Sequence, residues 1–125
     1  MIYRIITVTS TQWNAETNAN IFIQLHGSIY QSEKSELSQS DNSIPFQKGQ
    51  TDIFELRMNN VGNLNNLTIN LDGSNSDDGW YLEYIVVHDT IENKSWKCEC
   101  YKWLDKSYNT ESRNIPCKKG IELMR

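Results

Sequence analysis

Residues 66–72 read NLTINLD, and their alternation of apolar and polar side chains decides the fold. In an extended chain Leu67, Ile69 and Leu71 point to one side, and the polar residues between them point to the other. A two-residue period is typical of a strand with one buried face, whereas a helix repeats every three to four residues. The stretch therefore predicts a β-strand that lies against an apolar core.

The same alternation recurs along the chain of 125 residues. Further strands are predicted at residues 2–9, 21–26, 34–38, 52–58, 80–88, 96–101 and 120–124. Clusters of Asn, Asp, Gly and Ser separate them, and these residues favour turns. Short strands at this spacing indicate an all-β sandwich or barrel. Residues 105–117 have almost no apolar content, so we expect a surface loop there.

Composition limits the classes of partner. Lys and Arg number 12 and Asp and Glu number 16, which gives a net charge of −4 and disfavours binding to nucleic acid. No apolar run approaches the roughly 18 residues of a membrane span. The length suits one domain, over residues 1–125, and we expect a monomer. The N-terminus lacks the apolar core of a secretory signal, so a cytoplasmic or peripheral membrane location is expected.

A search for catalytic motifs favours a protein that is not an enzyme. The chain contains no nucleophile elbow, phosphate-binding loop or zinc-protease motif. Its histidines, His26 and His88, both fall within predicted strands. We expect them to be residues of a sheet face rather than general bases.

The three cysteines are too few for a disulfide framework. Cys98 and Cys100 lie two residues apart in a predicted strand and point the same way, so a bond between them would be strained. We expect Cys98 and Cys100 to be buried free thiols. Cys117 lies in a polar segment and would pair with either of the others only in an oxidising compartment.

Five short motifs follow one another along the chain. They are NAETNANIFI at residues 14–23, PFQKGQTDIF at 45–54, VGNL at 61–64, GWYLE at 79–83 and CYKWL at 100–104. In order and spacing they resemble the signatures of the PLAT domain family, also called LH2, over about residues 2–104.

That resemblance carries expectations about fold and function. It implies an antiparallel β-sandwich of two four-stranded sheets. Residues 105–125 fall largely outside the match, and their residue pattern predicts a C-terminal loop and a closing strand. The resemblance also implies a non-catalytic module that targets lipid or membrane surfaces. The alternative within the family is a module that docks on a protein partner and depends on neither lipid nor calcium.

Members of the family often bind calcium in loops at one end of the sandwich, and calcium prefers oxygen ligands. The matching positions are Asn14, Glu16, Thr17, Asn18, Asp41, Asn42, Asp77 and Asp78. Asn18 stands where the family has an aspartate, and Glu16 stands where it has a glycine. The resemblance thus implies a calcium site with an altered ligand set. A purely structural role stays open, because turns favour Asn and Asp in any case.

Trp13 is expected at the tip of the first loop, beside these residues. Tryptophan favours the membrane interface because its ring is amphipathic. Trp13 would insert while calcium bridges to anionic head groups and offsets the net charge. The alternative is that Trp13 folds back against the edge of the sandwich.

Overall fold

The computed structural model describes residues 1–72 and 79–120, and within them the chain is almost entirely β-structure. The strands are β1 (Ile2–Thr9), β2 (Asn20–Gly27), β3 (Ser35–Glu36), β4 (Thr51–Arg57), β5 (Leu64–Asp72), β6 (Trp80–Asp89), β7 (Lys94–Leu104), β8 (Ser112–Pro116) and β9 (Lys118–Lys119). A single-turn 3₁₀ helix spans Lys106–Tyr108. Since this is the one helix in the described ranges, none there is long enough to cross a bilayer.

The strands form two antiparallel sheets, which confirms the predicted β-sandwich. The first sheet has the order β4-β1-β6-β7-β9, and the second has the order β3-β2-β5-β8. The first sheet thus has five described strands rather than four, and the additional strand is the two-residue β9. All neighbouring strands run antiparallel.

The core lies between the sheets and is built from the inward rows of the alternating strands. Leu67, Ile69 and Leu71 are buried, as the pattern of residues 66–72 predicts. At one end of the core the ring of Phe46 packs on Phe54 and Trp80, with ring centroids 5.5 and 5.0 Å away. These contacts anchor the segment before β4 to β4 itself through Phe54 and to β6 through Trp80.

The expectation of a surface loop at residues 105–117 is wrong in part. The segment contains the 3₁₀ helix and β8, which pairs with β5 at the edge of the second sheet. An edge strand needs few apolar residues, because one of its faces and one of its edges remain in water. Here Ile115 alone is buried, so the hydrophobic pattern is too short to reveal a strand. The predicted strand at residues 120–124 lies, apart from Gly120, outside the described residues.

Cys98 and Cys117 form a disulfide, so the expectation of a free thiol is wrong for Cys98, and Cys117 takes the pairing that the sequence analysis left open for it. Their Cα atoms are 4.2 Å apart, because the chain returns from β8 in the second sheet to β9 in the first and passes β7 on the way. Cys100 keeps a free thiol. The pairing depends on β8, which the residue pattern did not predict.

Strand direction places several connections at one end of the sandwich. The pairing of β1 with β4 and β6, and of β6 with β7, brings the end of β1, the starts of β4 and β6 and the end of β7 together. Three connections adjoin these strand ends: the first loop (residues 10–19), the second loop (37–50) and the third loop (105–111). We call this end the loop pole. The opposite pole holds the turns at residues 58–63 and 90–93.

Candidate functional site

The first loop is fixed to its surroundings through its backbone. The Tyr81 N–H donates to the Ala15 carbonyl (3.1 Å), and the Thr17 N–H donates to the Phe46 carbonyl (3.2 Å). Ala15 is completely buried. Asn14 has a left-handed backbone (φ 67°), which Asn tolerates better than most residues. The tip of the loop is therefore a closed turn on an ordered base.

Trp13 stands at this tip with 83% of its surface exposed, which excludes the alternative that it folds back against the sandwich. Tyr108 in the third loop and Ile44 in the second are 76% and 59% exposed. We call these three residues the apolar rim of the loop pole. Each of the three comes from a different loop of the same pole, so they are candidates for an interaction surface.

The predicted calcium ligands of the first loop lie close in sequence but differ in environment. Asn14 and Asn18 are exposed, whereas Thr17 is buried and its Oγ1 accepts a hydrogen bond from the Ala19 N–H (3.1 Å). Glu16 has one carboxylate oxygen, Oε1, that is buried without a hydrogen-bond partner in the described ranges. Such an oxygen is costly to bury unless a donor or a cation satisfies it.

The second-loop residues predicted as ligands already make structural contacts. The Asp41 carboxylate accepts hydrogen bonds from the Ile53 N–H (2.8 Å) and the Ser40 hydroxyl (3.1 Å). The backbone bond from Ile53 is the main cause that lowers the pKa of Asp41. The Asn42 amide donates to the Thr51 carbonyl (2.9 Å). Both residues thus tie the second loop to β4. This is the structural role that the sequence analysis left open as the alternative to calcium binding.

Asp77 and Asp78 lie outside the described residues. Among the residues that are described, no three His, Cys, Asp or Glu side chains gather in one place. The described part of the loop pole therefore offers one feature suited to a cation, the partnerless oxygen of Glu16, together with neutral oxygens of the same loop.

Asp52 organises the second loop, and the motif reading did not single it out. It is completely buried although its side chain is a carboxyl group. Its four hydrogen-bond donors are the Ser40 hydroxyl (2.6 Å), the Gln50 amide (2.9 Å), the Asn42 amide (3.0 Å) and the Phe46 N–H (2.9 Å). The sequence did hold a signal, because Asp52 shares the inward row of β4 with Phe54.

A cavity of about 460 Å³ opens at the loop pole beside the first loop. The residues around it include Asn14, Gly79, Trp103, Asp105, Tyr108 and Arg113. The Arg113 Nε donates to the Trp103 carbonyl at 2.7 Å, across the gap between the sheets. We call this space the rim cavity. Sequence reasoning missed it because its arginine lies on the strand that the pattern did not predict.

The outer face of the first sheet carries a row of aromatic side chains. Tyr81 packs edge-on against Trp103 (5.3 Å), and Tyr84 lies 6.4 Å from Tyr101, which is 47% exposed. The Lys97 ammonium stands 4.3 Å from the Tyr84 ring centroid. We call this surface the aromatic face.

Both histidines lie in strands and bond hydroxyl groups. His26 Nε2 is 2.8 Å from Thr68 Oγ1, and His88 Nδ1 is 2.8 Å from Ser95 Oγ. Within the described part of the chain neither ring has a carboxylate partner. These contacts are those of polar residues on a sheet face.

Comparison with known proteins agrees with this architecture. The model of the PLAT/LH2 domain family matches residues 3–115, which extends the similarity beyond residue 104 and through most of β8. Human lipoxygenase homology domain-containing protein 1 is 34% identical over 106 residues, which cover 84% of this chain. Mouse polycystin-1-like protein 3 is 31% identical over 103 residues, or 82% of the chain. In each case the chain spans only 5% of the relative's length.

A solved structure of coral 8R-lipoxygenase superimposes with a TM-score of 0.81 at 17% identity. The match covers 94% of this chain and 17% of that enzyme. That structure is described as showing calcium activation through a C2-like domain. At this identity the likeness concerns the fold alone.

Proposed function

The chain belongs to the PLAT/LH2 domain family, and from that premise we propose that it is a targeting module that associates with lipid or membrane surfaces with the help of calcium. In this proposal the module catalyses no reaction. Its loop pole meets the surface, and the two sheets hold that pole in shape.

The exposed indole of Trp13 carries the proposal. The residue is 83% exposed at the tip of a loop whose backbone is bonded to β6 and to the second loop. An amphipathic ring gains by moving from water to the membrane interface. Because the loop is already ordered, little conformational entropy is lost when it binds. Ile44 and Tyr108 extend the contact beyond one side chain.

Calcium is the second part of the proposal. The proposed ligands in the first loop are Asn14, Glu16, Thr17 and Asn18, with the partnerless Glu16 oxygen supplying charge. Asp77 and Asp78 complete the set from outside the described residues. Asp41 and Asn42 belong to it only if calcium competes with their present hydrogen bonds. When bound, the ion would neutralise these carboxylates and bridge to anionic head groups.

Co-sedimentation with vesicles of phosphatidylcholine and phosphatidylserine tests this function. We expect the unmodified chain to pellet with vesicles in millimolar calcium and to remain in the supernatant in excess chelator. Trp13→Ala should weaken binding by about ten- to a hundredfold, since burial of an aromatic side chain is worth about 1.5–3 kcal/mol. Ile91→Ala is the matched control, because Ile91 is 71% exposed at the opposite pole.

Two results would reject parts of this function separately. Vesicle binding that is the same for Trp13→Ala and the unmodified chain would remove the loop pole as the contact. Binding that is unchanged by chelator would remove calcium and leave the lipid contact in place.

A protein-docking module is the second candidate, and the aromatic face favours it. Aromatic residues are enriched in the centres of protein interfaces, and Tyr101 is half exposed there. This function predicts no binding to vesicles in either calcium condition. It also predicts that Tyr101→Ala weakens capture of the partner while Trp13→Ala does not.

A further inference from the structure

We propose that the outer face of the second sheet binds a neutral carbohydrate chain. This face is formed by the three neighbouring strands β2, β5 and β8, on the side away from the core. The inference goes beyond the proposed function, because it concerns a flat side of the sandwich rather than its loop pole. It rests on the residue types that the strand register places side by side.

The register of the three strands arranges nine outward side chains in a grid. Alternate residues of β2 and β5 are buried, so the residues between them point to solvent. The three rows of the grid, read across the strands, are Phe22, Asn70 and Ser112, then Gln24, Thr68 and Asn114, and then His26, Asn66 and Pro116. The grid measures about 14 Å along the strands and about 10 Å across them, which is the size of a short oligosaccharide. We call this surface the amide face.

The amide face is uncharged. None of its nine residues is Lys, Arg, Asp or Glu, although these types make up 22% of the chain. The outer face of the first sheet differs, because it carries the ion pairs Arg4–Glu55 (3.6 Å) and Lys97–Glu99 (3.8 Å). A surface without charge has no electrostatic attraction for nucleic acid, an anionic lipid or an acidic peptide. It suits a ligand that is polar and neutral, such as a chain of sugars.

Neighbouring groups fix the orientation of the amides. The Asn114 amide donates to Asn66 Oδ1 (2.9 Å) and to Thr68 Oγ1 (3.3 Å), and the Gln24 amide donates to the Ser32 carbonyl (2.9 Å). Within the described part of the chain, these bonds leave the carbonyl oxygens of Asn114 and Gln24 as acceptors and the Asn66 amide as a donor. A sugar hydroxyl both donates and accepts, so it can pair with either kind of group.

Asn70 has an amide group that is open to a ligand. It is half-buried on β5, the strand at the middle of the face, between Phe22 and Ser112. Among residues 1–72 and 79–120 its side chain has no hydrogen-bond partner. A ligand hydroxyl can therefore bond this amide without displacing an internal contact.

Phe22 adds an apolar surface to the face. The C–H groups on one side of a hexose ring can pack on the electron-rich face of an aromatic ring. The Lys34 ammonium stands 5.0 Å from the ring centroid of Phe22, and Lys34 is exposed, so its long side chain can move aside for a ligand. A single aromatic ring among amides and hydroxyls fits a sugar better than a protein, because the centres of protein interfaces are enriched in aromatic residues and arginine.

A printed glycan array tests the inference. The whole chain, with a biotin at its C-terminus, is presented as a tetramer on fluorescent streptavidin so that weak binding is raised by avidity. The array displays neutral oligosaccharides beside sialylated and sulfated ones. We expect binding to a subset of the neutral glycans, with the same signal in calcium and in chelator. Binding to no neutral glycan, or binding confined to acidic glycans, would overturn the inference.

Isothermal titration with the neutral oligosaccharide of strongest array signal tests single residues. Asn70→Ala should weaken binding about fivefold, the loss expected for one neutral hydrogen bond. Phe22→Leu should weaken it severalfold, because leucine keeps an apolar side chain but removes the ring. Asn59→Ala is the matched control, since Asn59 is an exposed asparagine in the turn at residues 58–63, outside the amide face.

Two further variants separate this inference from its alternatives. Lys34→Ala should not weaken binding, and a loss of binding in this variant would mean that the ligand is anionic and would overturn the inference. Trp13→Ala should lose vesicle binding and keep glycan binding, so the proposed function and this inference can fail independently. If Phe22→Leu does not fold, Asn70→Ala decides the result. Glycan affinity that is unchanged in folded Asn70→Ala would overturn the inference.

Discussion

At the scale of single residues, the carboxylate of Asp52 receives four hydrogen bonds in a place without solvent. A charge is expensive to bury, and these donors offset the cost. Removing the carboxylate takes the acceptor from the Phe46 N–H and from amide N–H groups of Asn42 and Gln50, whereas the Ser40 hydroxyl still has the Asp41 carboxylate within reach. The second loop, which carries Ile44 of the apolar rim, is held by this group together with the bonds that Asp41 and Asn42 make to β4.

Asp52→Ala should lower the free energy of unfolding by about 3 kcal/mol or more, because several donors lose one acceptor. Unfolding in urea, followed by tryptophan fluorescence, measures the loss. Glu55→Ala on the same strand is the control, since Glu55 is exposed and should cost well under 1 kcal/mol. Equal effects of the two substitutions would show that Asp52 does not organise the loop.

At the scale of elements, the disulfide between Cys98 and Cys117 joins β7 of the first sheet to the segment that leaves β8 of the second. It is the covalent link between the sheets at the side where β8 is a short edge strand. Burial raises the pKa of the neighbouring Cys100 thiol, which keeps it protonated and a poor partner for exchange.

Reduction of this disulfide, or Cys117→Ser, should lower the unfolding free energy by about 3 kcal/mol, as expected for a bond between residues 19 apart in sequence. Thermal melts with and without a phosphine reductant measure the change. Cys100→Ser should melt like the unmodified chain without reductant. A melting temperature that reductant leaves unchanged would mean that the two sulfurs are not bonded in solution.

The elements also show how far the residue pattern reaches. The strands predicted at residues 2–9 and 80–88 match β1 and β6 within one residue, because each carries several apolar side chains on one row. β8 carries one, Ile115, and its pairing comes from backbone hydrogen bonds that no periodicity reports. The disulfide and Arg113 were missed for the same reason, since both acquire their neighbours only when β8 joins the sheet.

At the scale of the whole molecule, the candidate site is a product of topology. Residues 14, 44, 79 and 108 are far apart in sequence and meet at one pole because of the order and direction of the strands. The family resemblance led us to expect the first and second loops at one end, which composition and alternation do not predict, but it did not include the third loop. It could not foresee that Asp41 and Asn42 are already bonded to β4, because that depends on side-chain geometry.

The sheet edges predict the oligomeric state. The edge strands of the two sheets are β4 and β9, and β3 and β8. β3 and β9 have two residues each, and β8 ends at Pro116. On β4 the Ile53 carbonyl already accepts a hydrogen bond from the Asp41 N–H. Short or covered edges offer little template for pairing with another chain. We therefore expect sedimentation equilibrium to give the mass of a monomer at about 100 µM protein in chelator. A dimer that dissociates on mutation of an edge strand would contradict this.

The anchoring of the first loop has a mechanical consequence. Its backbone bonds reach the start of β6 through Tyr81 and the segment before β4 through Phe46, so the tip is tethered at two separate points of the framework. A pull on the indole of Trp13 is thereby shared between them instead of unzipping one hairpin. Under tension the folded domain should therefore dissociate from the membrane surface before any strand separates from its sheet.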